Sequence, residues 1–353
     1  MTPILYGWGA FEQGSYNNNG KGLLTDALMC QVTEEVNGSY DLIMRYPING
    51  AHGKDIKERD VILAKPNPRS AAEPFRIYRM TQPIKGIVTV YAHHISYDLC
   101  DVPVLPFEAL TPSGAASSLK TNMGFETPFT FSAPIDAFKE GTLAVRTPAN
   151  ARAILMGETD SIASTYFTAE SGQIYFTWYT VQIMNSRGTD RGFRITYGKN
   201  MTDFVKETNR TEFYNGVMPY VVKSDGSVYT LADKVVMLSG WSYKKVKPVD
   251  FTEIMKDKEL TDENLQTAAN QYMQDNGFGK FSISLDVSFV NLKDTAEYAH
   301  VAQLQDVYIG DTVTIEMPMY KMINTKEICT KTVFDALTEK FTSISIGKLR
   351  RGL

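Results

Sequence analysis

A run of nine residues, 281–289, alternates strictly between apolar and polar side chains. Its apolar members are Phe281, Ile283, Leu285, Val287 and Phe289, and its polar members are Ser282, Ser284, Asp286 and Ser288. Because successive side chains of a strand point to opposite faces, this spacing predicts a β-strand with one apolar and one polar face. The stretch 304–315 adds a Gly310-Asp311 turn and a second alternating strand. The C-terminal third is therefore expected to form sheet.

Other strand signals lie earlier in the chain. Asn37-Gly38 separates two strand-like runs, 30–36 and 39–46, and suits the positive φ angles of a type I′ hairpin turn. Asp225-Gly226 predicts a second hairpin, and 87–91 reads as a β-branched strand.

Helix signals are fewer. Thr261 can cap a helix whose apolar residues recur at helical spacing and which ends at Asn276-Gly277. Shorter helices are predicted at about 113–123 and 149–156. The fold class expected from the sequence is mainly β with a few helices, that is, α+β.

Length and composition limit the possible functions. A chain of 353 residues is expected to form two or more domains. A formal net charge of only −4 argues against a basic surface that would hold nucleic acid tightly. Cys30, Cys100 and Cys329 are far apart and suit reduced packing thiols, which points to assembly in a reducing cytoplasm. No signal peptide or membrane-spanning stretch is found, so no membrane insertion is expected.

Several short blocks, taken in order, resemble one known family. They are 32–42 with Tyr46-Pro47-Ile48, then 62–66, 74–78, 94–99, Arg187-Gly188, Asp190-Arg191-Gly192, Tyr197-Gly198-Lys199-Asn200 and 304–315. Over roughly residues 1–346, with a loose match at 100–180, the chain resembles the tail-tip hub proteins of long-tailed bacteriophages. These are variously named prophage tail endopeptidases, tail-associated lysins or minor structural proteins. Characterised members resemble the trimeric baseplate hub of contractile phages.

The resemblance implies two small antiparallel β-barrel domains plus inserted peripheral domains. The implied division is a first barrel at 1–98, an inserted α+β domain at 99–193, a second barrel made of 194–240 and 281–353, and a helical insertion at 241–280. Three copies would place six similar barrels in a ring, which would match a hexameric tail tube to a trimeric tip.

The function implied by the resemblance is structural and not enzymatic. The chain would be a homotrimeric adaptor that joins the tail tube to distal tail proteins and to receptor-binding or fibre proteins, while DNA passes without specific binding. Its expected location is the virion tail tip, after assembly in the host cytoplasm. Longer relatives append cell-wall-degrading or receptor-binding modules, so with a chain that stops at Leu353 we expect such a module to be absent or removed.

A search for catalytic motifs finds no zinc helix, nucleophile elbow or zinc-spaced Cys or His pair. The segment 14–21 resembles a phosphate loop but has one residue too many between its glycines, and Gly22 replaces the Ser or Thr. No catalytic, cofactor-binding or metal-ligating residue is assigned, and no cofactor is expected. Two alternatives stay open. One is a peptidoglycan hydrolase that uses carboxylates such as Asp160, Glu158 and Asp190, and the other is a carbohydrate-binding tail module that uses aromatic residues of 175–179.

Four further features each have a functional and a structural interpretation. The polar face of 282–288 could line a passage for DNA or could be solvated. His93 and His94 are adjacent on a predicted strand, so they should point to opposite faces instead of sharing a metal. The basic groups Lys244, Lys245 and Lys247, and Lys348, Arg350 and Arg351, could meet an acidic partner or be solvated. Tyr175, Phe176, Trp178 and Tyr179 could stack on sugars or pack in a core.

Overall fold

The computed structural model of the chain describes residues 1–9, 16, 18–134, 138–168, 171–196, 201–209, 213–279, 282–289, 307–317 and 322–347. It describes the side chains of all of these except 201–209, 282–289, 317 and 322–325. Within these ranges the chain is mainly β with a few helices, so the predicted class is confirmed. The quoted positions Gly14, Lys348, Arg350 and Arg351, and the block 197–200, lie outside the described residues.

The strands are numbered in chain order. The N-terminal half contributes β1 (Ile4–Tyr6), β2 (Gly22–Leu23), β3 (Met29–Glu35), β4 (Tyr40–Pro47), β5 (Val61–Ala64), β6 (Glu73–Met80), β7 (Ile87–His94), β8 (Pro103–Val104), β9 (Phe107–Ala109), β10 (Thr130–Ser132), β11 (Leu143–Val145) and β12 (Ala149–Asn150). The C-terminal half contributes β13 (Gln173–Thr177), β14 (Thr180–Met184), β15 (Asp190–Thr196), β16 (Met201–Asn209), β17 (Gly216–Val222), β18 (Val228–Thr230), β19 (Val236–Met237), β20 (Val246–Asp250), β21 (Ser282–Phe289), β22 (Thr312–Met317), β23 (Met322–Asp335) and β24 (Lys340–Gly347).

The described helices are short, with one exception. They are a 3-10 helix (Ile95–Asp101), α1 (Pro112–Thr121), α2 (Ala151–Met156), α3 (Ile162–Tyr166) and α4 (Asp262–Asp275). The α4 helix confirms the prediction at both ends, because the Thr261 side chain accepts a hydrogen bond from the Asn264 amide and Gly277 has a φ of 63°. None of the helices in the described ranges is long and apolar enough to cross a membrane.

Thirteen strands form one large sheet. Its order is β16-β21-β24-β23-β3-β4-β7-β6-β5-β1-β2, and β22 pairs with β23 and with β15. The predicted strand at 281–289 corresponds to β21, and the strand predicted after the Gly310-Asp311 turn corresponds to β22. Gly310 has a positive φ. Phe281 and residues 304–306 lie outside the described residues. Smaller sheets are formed by β10-β14-β13, by β11 with β9 and by β12 with β8, while β17 pairs with β18, β19 and β20.

The 14-residue strand β23 joins the two ends of the chain in this sheet. Its first half pairs with β22, its second half pairs with β3, and β24 runs along its other edge. The β3 edge that a separate N-terminal barrel would need for closure is therefore occupied by a C-terminal strand. None of the described sheets closes into a barrel, so the two-barrel part of the expectation is corrected to one continuous sheet.

The large sheet has an apolar inner face because its strands alternate. On β3, Cys30 and Val32 are buried, and on β4 the buried positions include Leu42 and Met44. These side chains belong to one core cluster that extends to Leu155 and other residues of the helices between β8 and β13. The opposite, outer face of the same strands carries mostly polar residues, as expected for an antiparallel sheet with one packed side.

The hairpin at 37–38 is confirmed, but its turn differs from the predicted type. Only Asn37 has a positive φ, 53°, whereas a type I′ turn needs two such residues. The turn is closed by hydrogen bonds from the Glu35 amide to the Ser39 carbonyl and from the Gly38 amide to the Glu35 carbonyl. The hairpin at 225–226 connects β17 and β18, and Gly226 has a φ of 81°.

Two compact units are present. Unit 1 comprises Met1–Phe167, Ser171–Val205 and Leu285–Leu353, and unit 2 comprises Thr168–Glu170 and Lys206–Ser284. In unit 2, Leu265, Ala269 and Met273 of α4 share a core with Val217 and Phe251. The finer division inferred from the resemblance (1–98, 99–193, 194–240 with 281–353, and 241–280) stays a prediction.

Candidate functional site

The outer face of the large sheet is an extended surface built from regular structure. It comprises Gln31, Thr33 and Glu35 on β3, Asp41, Ile43 and Arg45 on β4, Thr89, Tyr91 and His93 on β7, Arg76 and Arg79 on β6, Lys331, Val333 and Asp335 on β23, and Ser343 and Ser345 on β24. These side chains are half-buried or exposed, whereas the residues between them along β3, β4 and β7 are buried. Both ends of the chain contribute to this one surface.

Charges on the outer face are nearly balanced. Four basic residues, Arg45, Arg76, Arg79 and Lys331, accompany three acidic ones, Glu35, Asp41 and Asp335. The signs are also mixed in space, because Lys331 is the register partner of Glu35. Short polar residues lie between the charges, with Val333 of β23 paired to Thr33 on one side and to Ser343 on the other. Such a surface has no stripe of positive charge that would hold phosphates.

A column of stacked planar groups lies at one end of the outer face. The His93 ring lies between the rings of Tyr78 and Tyr97, with centroid distances of 3.9 and 4.1 Å and nearly parallel planes. The guanidinium of Arg152 continues the column, 3.8 Å from the centre of the Tyr97 ring. His93 Nδ1 lies 2.6 Å from Asp41 Oδ1, a register partner on β4. The column therefore fixes His93 by stacking and by one carboxylate.

His94 points to the other side of the same strand, as the alternation predicted. It is fully buried, and its Nε2 lies 3.2 Å from Glu73 Oε2. Its Nδ1 accepts a hydrogen bond from the Ser96 amide, so a neutral ring carries its proton on Nε2 and donates it to Glu73. The same carboxylate accepts from the Thr177 hydroxyl and the Trp178 amide, each at 2.7 Å. Both histidines thus have structural partners.

A second buried polar cluster joins β3 to the segment after β14. Arg187 Nη1 donates to Glu34 Oε1 at 2.6 Å, and both side chains are almost completely buried. Burial lowers the pKa of Arg187, but the neighbouring Glu34 carboxylate outweighs it, and the net pKa is raised. The Arg187 amide donates to the buried Gln173 side chain, and the Tyr175 ring lies 4.2 Å from the guanidinium. This charge pair connects β3, which carries part of the outer face, to the segment after β14.

The carboxylates considered for hydrolysis are not arranged as a catalytic pair. Asp190 begins β15 and accepts a hydrogen bond from Lys326 at 2.7 Å. This bond and one from the Gly192 amide lower the pKa of Asp190, whereas a general acid needs a raised pKa. Glu158 and Asp160 are exposed in the turn between α2 and α3, on a different element from Asp190.

The aromatic residues of 175–179 serve packing. Phe176 is buried, and the Tyr179 ring packs edge-on against Phe129. Trp178 occupies the turn between β13 and β14 and donates from its indole nitrogen to the Ala72 carbonyl at 3.1 Å. Together with Tyr175 on Arg187, these contacts leave no exposed row of rings for a sugar.

Other predicted positions are dispersed. Lys21, the last residue of the phosphate-loop-like segment, forms an ion pair with the buried Asp60 at 2.6 Å. Cys30 and Cys329 are buried and Cys100 is exposed, all three as free thiols. Among the residues that the structure describes, no three His, Cys, Asp or Glu side chains are close enough to hold one metal ion. In unit 2, Lys244 and Lys245 directly precede β20, and Lys247 lies on it.

Sequence reasoning missed Arg152, Glu73 and Glu34, which carry the buried polar contacts. A lone charged residue in an apolar run is the signal that could have indicated them, because a buried charge needs a partner. Arg152, between apolar residues of α2, fits that signal and donates to the Ser96 hydroxyl and the Gly38 carbonyl. The sequence does not indicate which groups accept the hydrogen bonds of Arg152.

The fold matches solved structures of phage tail proteins. A prophage tail protein, gp18, from Listeria monocytogenes shares 12% identity with a TM-score of 0.58, over 98% of this chain and 94% of that one. The 43 kDa tail protein of prophage MuSo2 from Shewanella oneidensis shares 11% identity with a TM-score of 0.59, over 99% of both chains. A tail protein from Neisseria meningitidis shares 10% identity with a TM-score of 0.57, over 98% of this chain and 96% of that one.

The chain has the fold of prophage tail proteins. The resemblance found in the sequence blocks is thus confirmed at the level of fold, over nearly the whole chain. No protein-family model matches the sequence, and no curated protein matches it either. At identities of 10 to 12% the likeness rests on the arrangement of strands and not on shared side chains.

Proposed function

We propose that this tail-protein fold is a structural, non-enzymatic tail-tip hub. In this proposal three copies form a ring that joins the hexameric tail tube to the distal host-attachment apparatus. The observation that carries it is the single sheet formed through β23, in which an N-terminal and a C-terminal block of strands lie side by side. Three copies would bring six such blocks around one axis, which matches a threefold object to a sixfold tube.

The outer face supports the proposed passage of DNA. A wall that touches duplex DNA during ejection must not retain it, and retention grows with each phosphate that a cation neutralises. Four basic and three acidic side chains, with hydroxyls between them, give the outer face almost no net charge.

Electron microscopy of the tail tip tests the assignment. Three copies should lie at the distal end of the tube, with the outer face of β3, β4 and β23 turned toward a central passage of about 20 Å or more. A chain found in a peripheral fibre would reject the hub assignment. A chain at the axis with its outer face turned outward would reject only the role of that face.

Adding positive charge to the outer face tests its role directly. Replacing Gln31, Thr33 and Ser343 by lysine would make the face basic, and DNA release from assembled particles should become slower and strongly salt-dependent. The matched control places three lysines at Ser113, Ser117 and Thr121, which are exposed along α1. Equal release kinetics for both variants would contradict the proposal.

The non-enzymatic role has its own test. The full chain should leave a peptidoglycan gel uncleared, because the hydrogen bond from Lys326 lowers the pKa of Asp190, whereas a general acid needs a raised pKa. Clearing that is lost on Asp190→Asn, or on Glu158→Gln, would establish a hydrolase instead.

A further inference from the structure

Unit 2 carries a compact group of aromatic and basic side chains at the start of β20. We name it the lysine-aromatic patch, and it comprises Phe213, Tyr214, Trp241, Tyr243, Lys244, Lys245 and Lys247. Tyr243 is 43% exposed, and Lys244 is exposed beside it. Trp241, Tyr214 and Lys247 are half-buried. Nothing in the proposed hub role uses these residues.

The loop that displays the patch is held in place by a buried asparagine. Asn215 is completely buried and exchanges backbone hydrogen bonds with Leu238 and Lys245. Its side chain accepts from the Lys245 amide at 2.7 Å and donates to the Tyr243 carbonyl at 2.6 Å. With four hydrogen bonds to 238–245, the loop is fixed before any ligand arrives, which lowers the entropic cost of binding.

The rings of the patch form tilted walls. Trp241 lies 4.7 Å from Phe213 and 5.8 Å from Tyr243 between ring centroids, at interplanar angles of 56° and 78°. The ammonium groups of Lys245 and Lys247 lie 5.5 and 5.9 Å from the Tyr214 ring. The rings therefore do not form one continuous stack, and each offers a separate apolar face or edge against which the C–H groups of a saccharide ring can pack.

Positive charge is concentrated in the patch although unit 2 is acidic. Residues 213–279 contain seven lysines and nine Asp or Glu, yet three of the lysines fall within 244–247. No acidic residue occurs between Lys234 and Asp250. Neither Lys244 nor Lys247 forms an ion pair among the described side chains. A long polyanion bound here would also be repelled by the carboxylates of the surrounding surface. A short anionic ligand would interact with the lysines alone.

We propose that the lysine-aromatic patch binds an anionic saccharide, with the sugar ring against Trp241 and Tyr243 and its carboxylate or phosphate near Lys244 and Lys247. Aromatic residues are enriched at the centres of protein interfaces but lysine is depleted there, so the three lysines fit a protein partner less well than an anionic ligand. The proposal is independent of the hub role, because binding is measured on the purified chain without a tail.

The test is calorimetric titration of the full chain with hexagalacturonate at low ionic strength, where charges are screened over about 30 Å. We expect a dissociation constant below about 1 mM and at least about tenfold weaker binding of the fully methyl-esterified form and of maltohexaose. The double change Lys244→Gln with Lys247→Gln, or Tyr243→Ala alone, should weaken binding by about tenfold or more. Lys244→Arg with Lys247→Arg should retain it.

The matched control is Lys256→Gln with Lys258→Gln, two exposed lysines elsewhere in unit 2, which should bind like the unaltered chain. Circular dichroism and the thermal transition of unit 2 establish that each variant is folded. The proposal is overturned if hexagalacturonate does not bind at about 10 mM, or if the control loses as much affinity as the patch variant. It is also overturned if a thymidine hexanucleotide binds as tightly as the saccharide.

Discussion

Asn37→Ala, in the turn between β3 and β4, is expected to lower the free energy of unfolding of unit 1 by about 3 kcal/mol. The Asn37 side chain is buried, donates from Nδ2 to the Gly172 carbonyl at 2.9 Å and accepts at Oδ1 from the Ile174 amide at 2.8 Å. Alanine makes neither bond, and each orphaned backbone group costs about 1 kcal/mol at the lower end of the usual range. The φ of 53° costs an alanine about 1 kcal/mol more.

Asn37→Gly separates the contribution of the two hydrogen bonds from that of the positive φ angle. Glycine also loses both hydrogen bonds but adopts a positive φ without steric cost, so we expect a loss of about 2 kcal/mol. Asn49→Ala is the matched control, because Asn49 is exposed in another turn of the same unit. It should change the stability by no more than about 0.5 kcal/mol.

Urea unfolding followed by tryptophan fluorescence measures these differences. A Trp241→Phe background removes the tryptophan of unit 2, so that Trp8 and Trp178 report on unit 1 alone. Equal stability of the alanine and glycine variants would refute the contribution of the backbone angle. An alanine variant within about 0.5 kcal/mol of the parent would refute the role of the two hydrogen bonds.

Three further predictions concern charge and backbone geometry. Arg187→Met leaves the buried Glu34 carboxylate unpaired and should lower the stability of unit 1 by about 3 kcal/mol or more in the same urea assay, with recovery when Glu34→Leu is added; no recovery would contradict it. Gly226→Ala, at a φ of 81° with open space around it, should cost about 1 kcal/mol in the thermal transition of unit 2, and no cost would contradict the turn. Lys326→Met should raise the pKa of Asp190 towards its ordinary value in carboxyl-carbon NMR titration. Because the folded pKa is lowered, the stabilisation exists above the unfolded pKa and is lost as the pH falls through the folded value, and an unchanged pKa in the variant would refute the pairing.

Local signals predicted the elements well. The alternation of 282–289 and of 312–315 placed β21 and β22, and the Thr261 cap with Asn276-Gly277 placed both ends of α4. These features follow from side-chain direction and from hydrogen bonds within a few residues, so a sequence window contains them. Asn37-Gly38 predicted the hairpin for the same reason.

The structural features that the sequence did not predict depend on contacts between residues that lie far apart in the chain. In the turn at Asn37, the side-chain amide donates a hydrogen bond to the Gly172 carbonyl and accepts one from the Ile174 amide. Both partners lie more than 130 residues away in the chain. The pairing of Thr332 with Glu34, which replaces barrel closure by a continuous sheet, spans nearly 300 residues. The periodicity of a strand does not indicate which strand it pairs with, because every edge strand offers the same backbone N–H and C=O groups.

The sequence likewise predicted that the residues of the outer face are polar strand positions. It did not predict that they form one surface. Thr33 and Asp41 follow from the first hairpin alone, whereas Val333 and Ser343 join them only through β23. Charge balance is a property of the assembled face and could not be computed before the register was known.

The charge distribution separates the two proposed roles. On the large sheet, four basic and three acidic residues share the outer face and nearly cancel in charge, which suits contact without retention. In unit 2, three lysines lie within four residues, with two aromatic residues just before them and no acidic residue between Lys234 and Asp250, which suits retention of a small anionic ligand. The net charge of −4 indicates neither the balanced outer face nor the lysine cluster of unit 2. The two proposed roles therefore depend on where the charges lie and not on overall composition. Adding lysines to the outer face should therefore impair DNA release without affecting saccharide binding, and removing Lys244 and Lys247 should do the reverse.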